Sequence, residues 1–251
     1  MASLVLGDYV TAPTTGPLGA TAYGSLDTYE LADFLARWPE LHRQALDALG
    51  EAGRIHPTAF IHPQAIIGDD VIVGPGAKVY EFSAIRKGSI LCAGASVGFN
   101  CEVTAAFIGE GAVLGHRIGI NRTVVGADAH LSAGVTVAAI NMSDDMRAPD
   151  REVIIRTHDG IYRCGTPQFG ALIGDGTQTG NSISLGPGVA IGRHVRINSG
   201  VTLAIRSIPD YSVVTAPHTA EAEVRSRRGP VGQAPFTTAG AAGAGRPSSW
   251  L

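Results

Sequence analysis

Aromatic side chains are scarce in this sequence: tryptophan, tyrosine and phenylalanine together supply only 6% of its 251 residues. Charged residues are also few, at 16%, whereas glycine alone accounts for 33 positions. A core of this composition cannot be filled by large interlocking rings, so it must be built from small and β-branched side chains. The length is sufficient for one sizeable domain with appendages.

Cysteine is limited to Cys92, Cys101 and Cys164, whose spacing matches neither a disulfide framework nor a zinc motif. We interpret Cys92 and Cys101 as inert packing residues. The sequence has no apolar run approaching the roughly 20 residues that span a bilayer, and its start, MASLVLGDYV, lacks the features of a signal peptide. The net charge of −3 offers no general attraction to nucleic acid or anionic membranes. These features predict a reduced, cytoplasmic protein without nucleic-acid or membrane partners.

A helical segment is predicted ahead of residue 54. Asp27 and Glu30 have the spacing of a capping box, and an apolar stripe follows at helical intervals. Pro39 should end this helix at Trp38 and open a second one, which glycines then stop. The stripe consists of Leu31, Phe34, Leu35, Trp38, Leu41, Ala45, Leu46 and Leu49.

From Ile55 onward, anchor residues recur every six positions, with a few single-residue deletions. A period of six fits neither a helix nor a simple hairpin, and it is typical of the hexapeptide repeat of a parallel β-helix. Each hexad supplies one short strand and one tight corner that favours glycine, and three hexads form a triangular coil. We expect about seven coils, stacked about 4.8 Å apart. The anchors are Ile55, Ile61, Ile67, Val73, Val79, Ile85, Leu91, Val97, Val103, Ile108, Leu114, Ile120, Val125, Leu131, Val137, Ile173, Thr179, Leu185, Ile191, Ile197 and Leu203.

An excursion at residues 138–170 interrupts the repeat and predicts an inserted hairpin that turns at Asp159-Gly160. Long excursions of this kind are often binding loops. We therefore predict three segments. They are an N-terminal irregular and helical segment (1–53), a β-helix (54–207) and a C-terminal extension (208–251) that is largely disordered because it is rich in Ala, Gly, Pro and Ser.

Several segments within the repeat resemble hexapeptide-repeat acyltransferases of the left-handed β-helix superfamily. The chain is most similar to the acetyltransferase domain of bifunctional sugar-1-phosphate nucleotidyltransferase/glucosamine-1-phosphate acetyltransferases. The resemblance implies an all-β solenoid, a left-handed parallel β-helix, that forms homotrimers and uses acetyl-CoA as co-substrate without a metal. It is carried by the segments SAIRKG, VGFNCEV, IGEGAVLGH, SAGVTVAAIN and GALIGDGTQTGNSISLGPGVAIG.

The same resemblance implies roles for individual residues of the acceptor site. His116 looks like the histidine that deprotonates the acceptor amine, which then attacks the thioester of acetyl-CoA. A histidine suits this task because its ordinary pKa lies near neutrality. Arg86 falls where the family has an arginine for the substrate's anionic group. We expect Asn121, Asn141 and Asp144 to shape the acceptor pocket.

For the cofactor, the resemblance implies that Asn181 and Ser199 line the CoA groove. We also expect Ser182 to line this groove and Arg206 to meet the CoA phosphates. Two positions depart from the family. Thr104 stands in place of a lysine that binds phosphate, and Gly119 stands in place of a tyrosine. Both changes weaken the case for a sugar 1-phosphate as the acceptor.

The sequence therefore predicts CoA-dependent N-acyl transfer to an amino group of a sugar, sugar phosphate or similar small molecule, with O-acylation left open. The alternative is a non-catalytic trimeric scaffold whose site has decayed, and CoA binding discriminates between the two. A zinc carbonic anhydrase of the same architecture is disfavoured because Asn121 stands where a second histidine is needed. His130 lies too far along the chain to replace it.

Overall fold

The computed structural model describes residues 3–142 and 145–216. Within these ranges short strands wind into a parallel β-helix with three faces of eight, seven and seven strands, and one further pair of strands forms a hairpin. In chain order the strands are β1 Phe60–Ile61, β2 Ile66–Ile67, β3 Ile72–Val73, β4 Lys78–Val79, β5 Ala84–Arg86, β6 Ile90–Leu91, β7 Ser96–Val97, β8 Glu102–Thr104, β9 Phe107–Ile108, β10 Val113–Leu114, β11 Gly119–Asn121, β12 Val124–Val125, β13 His130–Leu131, β14 Thr136–Val137, β15 Ile154–Thr157, β16 Gly160–Arg163, β17 Ala171–Ile173, β18 Gln178–Thr179, β19 Ser184–Leu185, β20 Val189–Ile191, β21 Arg196–Ile197, β22 Thr202–Leu203, β23 Arg206–Ile208 and β24 Val213–Val214.

The three faces follow directly from the hexads. The first face has the order β1-β4-β7-β10-β13-β18-β21-β24, the second β2-β5-β8-β11-β14-β19-β22, and the third β3-β6-β9-β12-β17-β20-β23. Phe60 pairs with Lys78, three full hexads further on, whereas Val113 pairs with His130 because one hexad of that coil is a residue short. The fold class predicted from the anchors, a left-handed parallel β-helix with inserted hairpin, is confirmed.

The third face differs from the other two because most of its outer residues are apolar and buried, as are its inner residues. Anchors such as Val73 and Leu91 point into the narrow core between the faces. Their neighbours Ile72, Ile90 and Phe107 point outward, and they are buried in a second core against the N-terminal segment. A strand apolar on both sides is typical of a sheet covered on both faces, so this sequence pattern specifies where the N-terminal segment packs.

The N-terminal segment consists of three short 3-10 helices (Leu6–Asp8, Pro17–Ala20 and Ala22–Thr28) and the helical stretch α1 (Leu31–Gly53). The helical backbone of α1 is interrupted at Gly50, one of the glycines predicted to stop it. The predicted break at Pro39 is wrong, since α1 continues through this residue. Pro39 removes one backbone hydrogen bond, but Trp38 and Leu41 on either side are buried against the third face, and this packing outweighs the cost. The helix cap is Glu30, whose carboxylate accepts a hydrogen bond from Ala32 N at 3.0 Å.

Hydrogen bonds connect the N-terminal segment to corners of the β-helix. Glu110 accepts hydrogen bonds from the backbone amides of Thr14 and Thr15, at 2.8 and 2.6 Å. Arg193 donates to the carbonyl of Gly7 at 2.8 Å. Together with the second core, these contacts make the segment part of one compact unit that spans Met1–Ala216.

The excursion forms the predicted hairpin, with β15 and β16 antiparallel. Thr157 pairs with Gly160, so the turn lies at His158-Asp159, one residue earlier than predicted. Tyr162 of β16 is buried, and its hydroxyl accepts a hydrogen bond from Ala32 N of α1 at 2.7 Å. The described strands continue to β24. Asp144 and the residues after 216, where we predict disorder, lie outside the described residues.

Candidate functional site

A column of stacked residues lies at the first corner, the turns that join the first face to the second. Each coil contributes one residue to the column, because every turn repeats the backbone of the previous one. The pairing register places Glu81, Phe99, His116, Ala133, Asn181 and Ser199 in successive coils. Backbone bonds such as Gly134 N to His116 O, at 2.9 Å, hold the turns in this stack.

His116 is exposed at the middle of this column. It lines a cavity of about 520 Å³ together with His130 and Asn181. Its neighbour Arg117 has a positive φ of 52°, which lets the chain turn sharply at this position and directs the histidine outward. An exposed imidazole beside a cavity of this size is accessible both to a bound amine and to water.

Asn181, Ser182 and Ser199, the residues predicted to line the CoA groove, all lie at the same corner. The Asn181 side chain accepts a hydrogen bond from Ala133 N at 3.2 Å, and Asn181 N donates to Ser199 Oγ at 2.9 Å. Asn181 lies two coils from His116, about 10 Å by the coil spacing, and Ser199 one coil further. The structure thus arranges the proposed base and these three residues along one edge of the β-helix.

Arg86 and Asn121 lie elsewhere, at the second corner, where the second face joins the third. Arg86 pairs with Thr104, and Thr104 pairs with Asn121, so the three form a column of their own. The full length of strand β11 separates Asn121 from the first corner. Arg86 approaches Glu102 at 4.0 Å, and since both side chains are exposed this ion pair contributes little stability.

Arg206 and Asn141 are also separated from the His116 column. Arg206 begins β23 on the third face, paired with Val189. Asn141 stands at the start of the excursion, and its side chain donates to the carbonyl of Glu152 at 3.3 Å, so it helps to close this loop. Asp144 falls outside the described residues. One chain therefore brings together the proposed base and part of the cofactor set, but not the proposed acceptor set.

Gly119 lies on the outer side of the second face, between the two corners. A Cβ atom placed on it meets nothing within 4 Å. Thr104, by contrast, is buried at the second corner. The absence of a large side chain at Gly119 leaves open space on the second face, between His116 and the Arg86 column.

His130 is a residue that sequence reasoning discounted. It occupies the outer side of β13, directly beside Val113 of β10, and so it lines the same cavity as His116. The sequence does contain the information that places His130 here, because the shortened coil makes a step of 17 residues from Val113 to His130. Two imidazoles do not make a metal site, and no group of three or more metal-ligating side chains occurs among the described residues.

The cysteines are unsuited to nucleophilic catalysis. All three are buried, and burial raises the pKa of each thiol, that of Cys164 to about 12. Among the described residues no helix is long and apolar enough to cross a membrane.

Comparison with known proteins finds relatives that are named as acetyltransferases. The model of the GMPPB C-terminal domain matches residues 50–144. Over 121 residues the chain is 28% identical to a bifunctional sugar-1-phosphate nucleotidylyltransferase/acetyltransferase from Sulfurisphaera tokodaii, covering 48% of this chain and 29% of that protein. The predicted resemblance is confirmed.

A second relative is the putative uncharacterized acetyltransferase YaiX from Escherichia coli, 28% identical over 124 residues, which cover 49% of this chain and 51% of YaiX. The chain thus spans about half the length, or less, of the curated relatives it matches. Among solved structures, it is similar to the UDP-N-acetylglucosamine acyltransferase of Francisella novicida, with 14% identity, a TM-score of 0.42, and coverage of 64% of this chain and 60% of that one.

Proposed function

We propose that this protein is a CoA-dependent acyltransferase that transfers an acyl group, acetyl in the simplest case, to an amino group of a sugar or sugar-like small molecule. The observation that carries the proposal is the first corner. There an exposed His116 shares a cavity with Asn181, in a chain that is similar to relatives named as acetyltransferases.

In this reaction the acceptor nitrogen attacks the thioester carbonyl carbon directly. A bond forms between nitrogen and the acyl carbon, the carbon–sulfur bond breaks, and CoA leaves as the thiolate. His116 takes the proton that the nitrogen loses and can return it to the sulfur. The exposed position of His116 supports this role, because the ring can accept a proton from a bound acceptor without a change in the fold.

The first corner also suits an extended acyl-CoA arm. The column from His116 to Ser199 spans three coils, about 14 Å by the coil spacing, and it is lined by small residues such as Ala133. Asn181 and Ser199 provide amide and hydroxyl groups for the amides of the pantetheine arm. We propose acetyl-CoA as the co-substrate and Asn181, Ser182 and Ser199 as its contacts.

The acceptor residues Arg86 and Asn121 lie at the other corner, so we propose that two subunits complete one site. In a homotrimer of parallel β-helices, the first corner of one protomer can face the second corner of its neighbour. Arg86 then holds an anionic group of the acceptor that is bound opposite His116 of the partner subunit. This arrangement would explain why the two residue sets are separated within one chain.

Acyl transfer is tested with purified protein, acetyl-CoA and a panel of amino sugars, by following the release of free thiol. We expect turnover with at least one amine, and its loss in His116→Ala. Mixed trimers of His116→Ala and Arg86→Gln should regain activity, because some interfaces then combine an intact base with an intact arginine. Turnover that survives His116→Ala would overturn the assigned base.

A scaffold without catalytic activity is the second candidate, because Thr104 and Gly119 replace a lysine and a tyrosine of the related enzymes. A scaffold has no reason to keep a CoA groove. Binding of acetyl-CoA therefore separates the two functions even before an acceptor is identified.

A further inference from the structure

A second cavity, of about 530 Å³, lies at the second corner, at the opposite edge of the second face from His116. We name it the α1 cavity, because Trp38 and His42 of α1 form one wall. The second corner, with Asn121 and Arg122, forms the facing wall, and Arg147 of the excursion also lines the cavity. The described residues that line it include none of those that line the His116 cavity. Its volume falls in the range typical of small-molecule sites.

The charges around the α1 cavity are mostly positive. Lys87, Arg122 and Arg147 all line it, and all three are exposed. None of these cations forms an ion pair within the part of the chain that the structure describes. Among the described lining residues, the only carboxylate is that of Asp70. Three cations and one carboxylate leave an excess of positive charge around the cavity, and this excess attracts anionic ligands.

The cations are spread out rather than clustered. Lys87 and Arg122 occupy equivalent positions two coils apart, which is about 10 Å by the coil spacing. Arg147 approaches from a different element, the excursion. Because the backbones that carry these cations are so far apart, a molecule with two or three acid groups can contact them with less rearrangement of the side chains than a single acid group can.

Uncharged polar groups complete the lining. The side-chain amides of Asn121 and Gln168 face the cavity, and neither has a hydrogen-bond partner among the described residues. Such amides both donate and accept hydrogen bonds, so they suit the hydroxyl or carbonyl groups of a polar organic molecule.

The wall formed by α1 is rigid before any ligand binds. His42 Nε2 donates to the Asp70 carbonyl at 2.6 Å, because a carbonyl oxygen can only accept. In the neutral imidazole Nδ1 then accepts from the Tyr23 hydroxyl at 3.2 Å, and this hydroxyl accepts from Trp38 Nε1 at 3.1 Å. A Cβ atom on Gly88 would lie 3.1 Å from the His42 ring, so glycine permits this close approach. Preformed walls reduce the entropic cost of binding.

We propose that the α1 cavity binds a small organic anion with two or three acid groups, held by Lys87, Arg122 and Arg147. The body of this anion forms hydrogen bonds with Asn121 and Gln168. The inference goes beyond acyl transfer and does not depend on His116, because the three cations lie within one chain and line a different cavity. Asn121 is the one residue that this cavity shares with the proposed acceptor set. Polycarboxylates and diphosphates share the required chemistry.

The test uses calorimetric titration with citrate as the polycarboxylate, inorganic pyrophosphate as the diphosphate, and acetate and glucose as controls. We expect citrate or pyrophosphate to bind with a Kd below about 1 mM, and acetate and glucose not to bind. Binding should weaken as salt rises. Binding by citrate alone would assign a carboxylate ligand, and binding by pyrophosphate alone a phosphate ligand.

Matched variants make the test specific. Lys87 and Arg122 have positive φ angles of 51° and 46°, and asparagine tolerates this conformation, so Lys87→Asn and Arg122→Asn keep the corner intact. Arg117→Asn at the first corner, with φ of 52°, is the control. Each cavity variant should weaken binding about tenfold, as should Arg147→Gln on the excursion, whereas the control should not. Absence of binding by both anions, or equal weakening by Arg117→Asn, would overturn the proposal.

Discussion

The two corners that flank the second face are built from the same hexads, yet they have different surroundings. At the first corner, His116, Asn181 and Ser199 form an exposed column. At the second corner, Asn121 and Arg122 face a cavity whose other walls are α1 and the excursion. The comparison shows that the repeat decides which residues stack in a column, whereas the segments added to the repeat decide whether the column becomes an open groove or a covered cavity.

The largest expected effect concerns the open corner. His116→Ala should lower kcat by about 10²- to 10⁴-fold, since it removes the proposed general base. His62→Ala is the matched control, because His62 also lies at the first corner but in an early coil. We expect the kcat of this control variant to equal that of the wild type. Thiol release under saturating acetyl-CoA measures both. Equal losses in the two variants would argue for a structural role of histidine at this corner.

The covering of the third face is expected to dominate stability. Phe107→Ala should lower the free energy of unfolding by about 3–5 kcal/mol, since Phe107 is fully buried beneath the N-terminal segment and stacks on Tyr23. Phe60 occupies the corresponding outward position on the first face and is 47% exposed, so Phe60→Ala should cost about 0.5 kcal/mol or less in the monomer. Urea denaturation compares the two. A small loss in Phe107→Ala would mean that the segment packs on this face only weakly.

The covered corner should also confer a pH dependence. Burial lowers the pKa of His42, so the unfolded chain binds a proton more readily than the folded one. The free energy of unfolding should therefore fall as the pH drops below the ordinary histidine pKa of about 6.5, and the loss should continue down to the pKa of the folded state. Denaturation series at several pH values measure this slope, and His42→Asn should reduce it. A slope that is the same in wild type and variant would contradict this account of His42.

The smallest effect is expected at the open space between the corners. Gly119→Tyr adds a ring where a Cβ atom meets no neighbour, so the variant should fold normally. It should shift the preference among acceptors, measured as a ratio of kcat/KM values, by about tenfold or less. An unchanged ratio for every acceptor would place the acceptor away from Gly119.

The sequence was sufficient to predict the β-helix because its signal is strictly periodic. The anchors identify the inner side of every face, and their one-residue deletions reappear as the shortened step from Val113 to His130. The covering of the third face could also have been predicted in principle, because outward residues such as Ile90 are apolar. What periodicity cannot show is long-range packing, which is why the continuity of α1 through Pro39 was not foreseen.

For the candidate site, residue columns could be predicted but cavities could not. Stacking of Asn181 and Ser199 near His116 follows from counting coils. The α1 cavity depends on how a helix and an excursion distant in sequence approach Arg122, and no local pattern records this. The resemblance to acetyltransferases suggested Asn121 for the acceptor, yet only the structure reveals that this residue and His116 open into different cavities of one chain.

The most direct test of acyl-CoA use is calorimetric binding of acetyl-CoA to the wild type, Ala133→Phe and Ala48→Phe. Ala133 lies between His116 and Asn181 in the first column, whereas Ala48 is exposed on α1 and lines neither cavity, so a large side chain blocks the proposed groove only in the first variant. We predict micromolar binding to the wild type and to Ala48→Phe, and a loss of about tenfold or more in Ala133→Phe. Absence of binding to the wild type, or equal binding to all three proteins, would contradict the acyltransferase groove and favour the scaffold.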